Sequence, residues 1–146
     1  MHKSFVDFNK EIIFGELGAL IMANLLAYIS SHFTSNDSAI AVWAVVGTLL
    51  GGSIFWLAAR IYDKFRDYRS KPADLAKDIS YFTPAAIVLG FLIYDPSIYF
   101  VSRYLLRQGH WVETSVIVGQ AIAFSLFLFC MNVYRAILRH FKLEEL

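Results

Sequence analysis

YFTPAAIVLGFLIYDPSIYFVSRYL, residues 81–105, is an unbroken stretch of 25 residues in which apolar and aromatic side chains dominate. A helix that crosses the hydrocarbon core of a bilayer needs about 20 such residues. Three more stretches of this kind lie at residues 12–31, 39–59 and 112–134. The sequence therefore predicts an all-α, polytopic membrane protein with four transmembrane helices, forming a single integral membrane domain over residues 1–146.

The composition supports this class. Of 146 residues, 58% are hydrophobic and 17% are charged, whereas soluble domains are about 45–50% apolar and about 25% charged. The net charge of +1 and the lack of a basic stripe give no sign of a nucleic-acid partner. No Cys, His, Asp or Glu cluster has the spacing of a metal site, and no histidine pair is placed for haem. We expect the lipid bilayer as the main partner, with no nucleic acid, metal or cofactor.

The distribution of positive charge predicts the orientation. The basic connection at residues 60–80 contains six Lys and Arg residues, whereas residues 32–38 contain none. The C-terminal tail adds Arg135, Arg139 and Lys142. By the positive-inside rule, this connection and both termini face the cytoplasm. We expect an N-in, C-in protein of the cell or inner membrane.

The two halves of the chain resemble each other. Leu17 aligns with Leu89 at an offset of 72 residues, and the same offset holds without gaps over both spans of each half. This pattern predicts a duplicated helical hairpin with parallel repeats, as in some transporters. Further matched pairs are Gly18 and Gly90, Ser30 and Ser102, Gly47 and Gly119, Ser53 and Ser125, and Tyr62 and Tyr134.

Polar residues near the middle of the spans are the first candidate binding residues. Asp95, Pro96 and Ser97 interrupt the third span, Asn24 lies in the first and Gln120 in the fourth. A carboxylate inside a membrane is expensive and commonly functional. Proline removes a backbone hydrogen bond and breaks or kinks a helix. We predict a solute or ion site around Asp95, with Pro96 as a hinge; a hydrogen-bonded structural role for Asp95 is the alternative.

Glu16 is the second acidic candidate, about one turn inside the first span and flanked by glycines. A base such as Arg60 or Lys64 could pair with it, so a structural ion pair stands beside a ligand-binding role. Arg103 and Arg107 lie at the outer end of the third span. Either they form an anion clamp at an outer vestibule, or they extend to the interface as part of an aromatic and basic belt.

Three segments carry a family resemblance. FGELGALIMANLLAY at 14–28, FWLAARIY at 55–62 and FLFCMNVY at 127–134, together with four spans and a duplicated hairpin, resemble the GtrA-like family of small membrane proteins. The resemblance implies a function in flipping polyprenyl-phosphate sugars. It implies no assignment of individual site residues.

Three functions are compatible with these patterns. The first is a small transporter or flippase-like protein, expected as a homodimer, with a polar midplane site at Asp95. The second is an accessory or scaffold subunit that packs against other membrane subunits. The third is a lipid-modifying enzyme working through Glu16, although no Ser-His-Asp, HExxH, CxxC or phosphate-loop signature is present.

Overall fold

The computed structural model describes residues 5–66, 80 and 83–140. It contains four long helices: α1 (Phe5–Ser31), α2 (Asp37–Arg66), α3 (Thr83–Arg107) and α4 (Val112–His140). Each contains a segment that is long and apolar enough to cross a bilayer, namely Asn9–Ser31, Asp37–Asp63, Thr83–Arg107 and Val112–Leu138. The prediction of four spans is confirmed, and the observed segments begin or end within a few residues of the predicted bounds.

The basic connection begins later than predicted. Residues 60–66 continue α2, as the helical charge pattern of this connection allows, and Arg60 is buried inside the protein. Arg60 is helical and buried because an acidic partner on α1 compensates its charge, which a hydropathy profile cannot detect. The remainder of the predicted connection, residues 67–79, and the basic tail residue Lys142 lie outside the described residues.

Side-chain and backbone caps form the two short turns. The Asn36 side chain accepts hydrogen bonds from the backbone N–H groups of Ser38 and Ala39, at 2.9 and 3.3 Å, and so caps the start of α2. At the end of α3, Gly109 adopts φ +81°, and the N–H of His110 bonds back to the carbonyl of Leu105. This Schellman arrangement stops α3 and reverses the chain into α4.

Small residues allow the helices of each hairpin to approach closely. A methyl group on Gly51 would lie 2.1 Å from the carbonyl oxygen of Gly18, and one on Gly47 would lie 2.4 Å from that of Met22. In the second hairpin, a methyl group on Gly119 would meet the hydroxyl of Ser102 at 2.6 Å. Close backbone approach at small residues is a common way of packing membrane helices.

The helices neighbour one another in the order α1, α2, α3, α4 and back to α1. The predicted pairing into two hairpins is confirmed. The duplication stays a prediction, supported by Gly47 and Gly119, which occupy matched positions and are both points of close approach. We call the end at which α1 and α3 begin the terminal end, and the end that carries residues 32–36 and 108–111 the turn end.

The buried interior divides into two clusters of apolar residues. The larger cluster includes Ala23, Ala44, Ile98 and Val116, and the smaller one contains Ile12, Met131 and Leu138 near the terminal end. Large apolar side chains cover the outer surface of the helices, which is the surface that lipid would contact. Examples of these exposed residues are Ile21, Ile54, Leu92 and Phe129.

Candidate functional site

The candidate site is a cavity of about 400 Å³ between the two hairpins, lined by residues of all four helices. It extends from the terminal end of the bundle towards its middle. Most of its wall is apolar or aromatic, and four charged residues line it: Glu11, Glu16, Arg60 and Asp95. The cavity therefore combines an apolar wall with a few polar groups, which is the usual character of a small-molecule site.

Both acidic residues singled out from the sequence line this cavity. Glu16 comes from α1, and its carboxylate accepts a hydrogen bond of 2.5 Å from the hydroxyl of Tyr94 on α3. The ring of Tyr94 packs edge-on against Phe127 of α4, with ring centroids 5.6 Å apart. This contact holds Glu16 at the wall of the cavity and joins the first hairpin to the second.

Asp95 lies next to Tyr94 in the chain and also lines the cavity. It is only 7% exposed, and among the described residues neither of its carboxylate oxygens has a hydrogen-bond partner. Buried polar groups are almost always hydrogen-bonded, because leaving one unsatisfied costs about 1–3 kcal/mol or more for a charged group. Asp95 is thus a buried acceptor with open binding capacity.

The local backbone explains why Asp95 and Pro96 occur inside an apolar helix. Residues Gly90–Tyr94 form a π-helical turn, in which the N–H of Asp95 bonds to the carbonyl of Gly90. The α-helix then restarts at Asp95, so Pro96 stands in its first turn. Proline is tolerated there because the first N–H groups of a helix have no intrahelical acceptor.

A buried ion pair lies at the terminal end of the cavity. Arg60 of α2 donates to the carboxylate of Glu11 of α1 at 2.5 Å, with the two side chains 3% and 2% exposed. The guanidinium also lies over the ring of Trp56, at 6.0 Å from its centroid. Of the two bases suggested for Glu16, Arg60 pairs with Glu11 instead, and pairing with Lys64 stays a prediction. Glu11 lies more than one helical turn closer to the beginning of α1 than Glu16, where Arg60 reaches it.

Of the other midplane candidates, Gln120 lies near the acidic residues of the cavity, whereas Asn24 and Ser97 do not line it. Gln120 is buried near the Tyr94 hydroxyl, but neither end of its amide makes a hydrogen bond of standard geometry among the described residues. Asn24 donates to the carbonyl of Leu20 in its own helix at 2.9 Å. Neither Asn24 nor Ser97 is part of the cavity wall. The structure therefore brings together Asp95 and Glu16, with Gln120 behind them, and leaves Asn24 and Ser97 outside.

The two arginines of the predicted anion clamp lie near the turn end. The guanidinium of Arg103 stacks over the ring of Tyr99 at 5.8 Å, and the side chain of Arg107 is exposed. This placement suits the belt interpretation, since both side chains lie outside the cavity. The clamp stays a prediction.

Sequence reasoning missed Tyr94 and the aromatic wall. The cavity is lined by Trp56, Phe91, Tyr94, Phe124 and Phe127. An aromatic-rich span normally indicates lipid contact or helix packing, so these aromatic residues did not indicate a binding cavity. The one available sign was the position of Tyr94, directly before the intramembrane carboxylate.

Comparisons of the chain with protein-family models, curated proteins and solved structures find no match. The candidate site therefore rests on the geometry of this chain.

Proposed function

We propose that this small four-helix membrane protein is a transporter or flippase-like protein that binds its solute in the cavity between the hairpins. The proposal rests on one observation about Asp95. Its buried carboxylate lines the cavity and has no hydrogen-bond partner among the described residues. A carboxylate that served only to join helices would be expected to have such a partner.

Other polar groups in the bundle do act as joints, and they provide the contrast. Asn9 and Asn132 exchange hydrogen bonds between α1 and α4 at 3.0 and 3.3 Å. Ser102 of α3 donates to the carbonyl of Ser115 of α4 at 3.2 Å. These groups contact one another across helices, whereas Asp95 faces the cavity. This difference favours the transporter over the accessory subunit.

The cavity also lies where a transport site is expected. It is formed by both hairpins, and the π-helical turn at Gly90–Tyr94 provides an irregular point in the helix that carries the acidic site. Sites of this kind in transporters lie at the interface of repeats and use interrupted helices. We propose the N-in, C-in orientation, which places the end of the cavity near Glu11 and Arg60 towards the cytoplasm, and a homodimer, because four helices make a narrow path.

The test measures whether the cavity can be reached from both faces of the membrane. Gly90 lines the cavity and a side chain added there meets no atom within 4 Å, so Gly90→Cys places a thiol in open space. The background is Cys130→Ser, which removes the native cysteine. Val88→Cys, an exposed position outside the cavity wall, is the control for lipid-facing thiols.

A membrane-impermeant thiol reagent is applied to either face of oriented proteoliposomes. We expect Gly90→Cys to react from both faces and Val88→Cys from neither. Reaction from neither face would contradict a transport pathway. Reaction from one face only, together with co-purification of other polypeptides in native mass spectrometry, would favour the accessory subunit.

A further inference from the structure

We propose that the ligand of this cavity is a small amphiphilic cation, and that it enters sideways from the bilayer through a gap between α2 and α3. This inference rests on the proposed function and adds its substrate class. It is carried by the charge balance of the cavity, the aromatic wall and the exposure of the residues at one side.

With its acids ionised, the cavity carries a net negative charge. Its charged residues are three carboxylates and one guanidinium, and Glu11 and Arg60 neutralise each other in their ion pair. Glu16 has the neutral hydroxyl of Tyr94 as its donor, and Asp95 has no hydrogen-bond partner among the described residues. No cation in the described part of the wall compensates these two acids. A positively charged ligand group would supply the missing compensation.

The aromatic wall favours the same charge. Faces of Trp, Tyr and Phe rings attract cations, and the attraction is stronger where water is excluded. Trp56, Phe91, Phe124 and Phe127 line the cavity together with the acidic groups. A cavity that combines carboxylates with aromatic rings is suited to an organic ammonium or phosphonium group, which is weakly hydrated and carries apolar substituents.

The α2 and α3 sides of the cavity carry exposed apolar residues. The Asp95–Arg107 part of α3 contacts α2. Nearer the terminal end, residues of both helices line the cavity and keep a large accessible surface: Leu49 and Leu57 of α2 are 41% and 44% exposed, and Ile87 and Phe91 of α3 are 52% and 61% exposed. The exposed rim is apolar, so an apolar molecule can pass from the bilayer into the cavity.

Size and charge together define the ligand class. A cavity of about 400 Å³ suits a small molecule with a compact apolar body. A phosphate-bearing lipid would place an anion beside Glu16 and Asp95, which is unfavourable at short range. The site therefore favours a small cation over the polyprenyl phosphate that the family resemblance implies.

The experiment compares two probes of the same shape and opposite charge. Tetraphenylphosphonium and tetraphenylborate are titrated separately into the full-length protein in nanodiscs. Trp56 lies in the cavity wall and reports binding by fluorescence, after Trp43 and Trp111, which are exposed and outside the wall, are changed to Phe. We expect saturable binding of the phosphonium with a Kd about tenfold or more below that of the borate.

Variants locate the binding. Asp95→Asn should raise the Kd of the phosphonium about tenfold, and Asp95→Glu should restore part of the affinity. Glu16→Gln provides a second acidic variant if Asp95→Asn fails to fold. Glu113→Gln, at an exposed acid in the first turn of α4, should leave the Kd unchanged.

Equal or tighter binding of the borate, or saturable binding of a short polyprenyl phosphate that outcompetes the phosphonium, would overturn the proposal. An unchanged phosphonium Kd in both Asp95→Asn and Glu16→Gln would do the same. If Gly90→Cys still reacts from both faces, any of these binding results overturns only the proposal that the ligand is a cation. If that thiol reacts from neither face, the transport function fails as well.

Discussion

Tyr94 of α3 donates a hydrogen bond of 2.5 Å to Glu16 of α1, and its ring packs against Phe127 of α4 at 5.6 Å. One side chain thus contacts two other helices and joins the hairpins at the wall of the cavity. It also positions one of the two acids that we place in the binding site. A change at Tyr94 should therefore affect both the stability of the bundle and the site.

Tyr94→Phe keeps the ring and removes the hydroxyl. We expect the free energy of unfolding to fall by about 1–3 kcal/mol, because the part-buried Glu16 carboxylate loses its donor. The measurement is reversible unfolding in detergent, as a double-mutant cycle with Glu16→Leu. In the Glu16→Leu background the effect of Tyr94→Phe should vanish.

The control for this prediction is Tyr28→Phe, which changes an exposed tyrosine of α1. It should leave stability unchanged. An equal loss from Tyr94→Phe in both backgrounds would show that ring packing, and not the hydrogen bond to Glu16, is what the variant disturbs.

Gly47→Ala tests the close approach inside the first hairpin. The new methyl group would lie 2.4–2.6 Å from backbone atoms of Met22 and Ala23, which cannot rotate away. We expect a loss of about 1–3 kcal/mol from overpacking, measured by the same unfolding assay. Gly90→Ala is the matched control, since nothing lies within 4 Å of its added methyl group.

Gly90→Ala should be neutral or should stabilise the protein by up to about 1 kcal/mol, because alanine loses less backbone entropy in a helix than glycine. Equal destabilisation by both substitutions would mean that the helices approach each other differently from the contacts described above.

The positions of the spans could be predicted from the sequence, because apolar length alone determines which segments can cross a bilayer. The contacts between side chains of different helices could not be predicted, because they depend on how each helix is rotated about its axis. The residues of α1 that line the cavity are Glu11, Ile12, Gly15, Glu16 and Ala19, and the helical series 12, 15, 16, 19 continues at Ala23. Asn24 lies one residue further, about 100° around the helix, and so falls outside the site that sequence position suggested for it.

The structure around Asp95 and Pro96 could likewise be predicted only in part. The sequence indicated an interrupted helix, and an interruption does occur. The sequence could not show that the interruption is a π-helical turn at Gly90–Tyr94, or that Pro96 lies in the first turn of the α-helical segment that follows. It also could not distinguish a carboxylate that joins helices from one that faces a cavity, since that depends on side chains from other helices.

Pro96→Ala tests the role of this turn. The substitution restores a backbone N–H, so we expect the turn at Gly90–Tyr94 to relax to an ordinary α-helix. The relaxation rotates the two parts of α3 relative to each other by about 100°. Tyr94 and Asp95 should then no longer face their present partners, and the Kd of tetraphenylphosphonium should rise about tenfold. Pro84→Ala, near the start of α3, is the control that should keep the wild-type Kd; wild-type affinity in Pro96→Ala would contradict the role of the turn.

Ser53→Trp tests the lateral entrance. Ser53 lies on α2, lines the cavity and is exposed, so a tryptophan there should narrow the gap to α3. We expect slower association of tetraphenylphosphonium, by about tenfold, in stopped-flow fluorescence. Dissociation should slow to a similar extent, because the same gap serves for exit and the acidic site is unaltered, and the Kd should change little.

The chain supplies a closely matched control for this variant. Ser125 of α4 is an exposed serine at the position that matches Ser53 in the predicted repeat, and it does not line the cavity. Ser125→Trp adds the same bulk to a lipid-facing surface and should leave both rates unchanged. If both variants slow association equally, the effect belongs to the surrounding lipid. If neither does, the ligand reaches Asp95 from the terminal end past Glu11 and Arg60, and the gap between α2 and α3 is not its route.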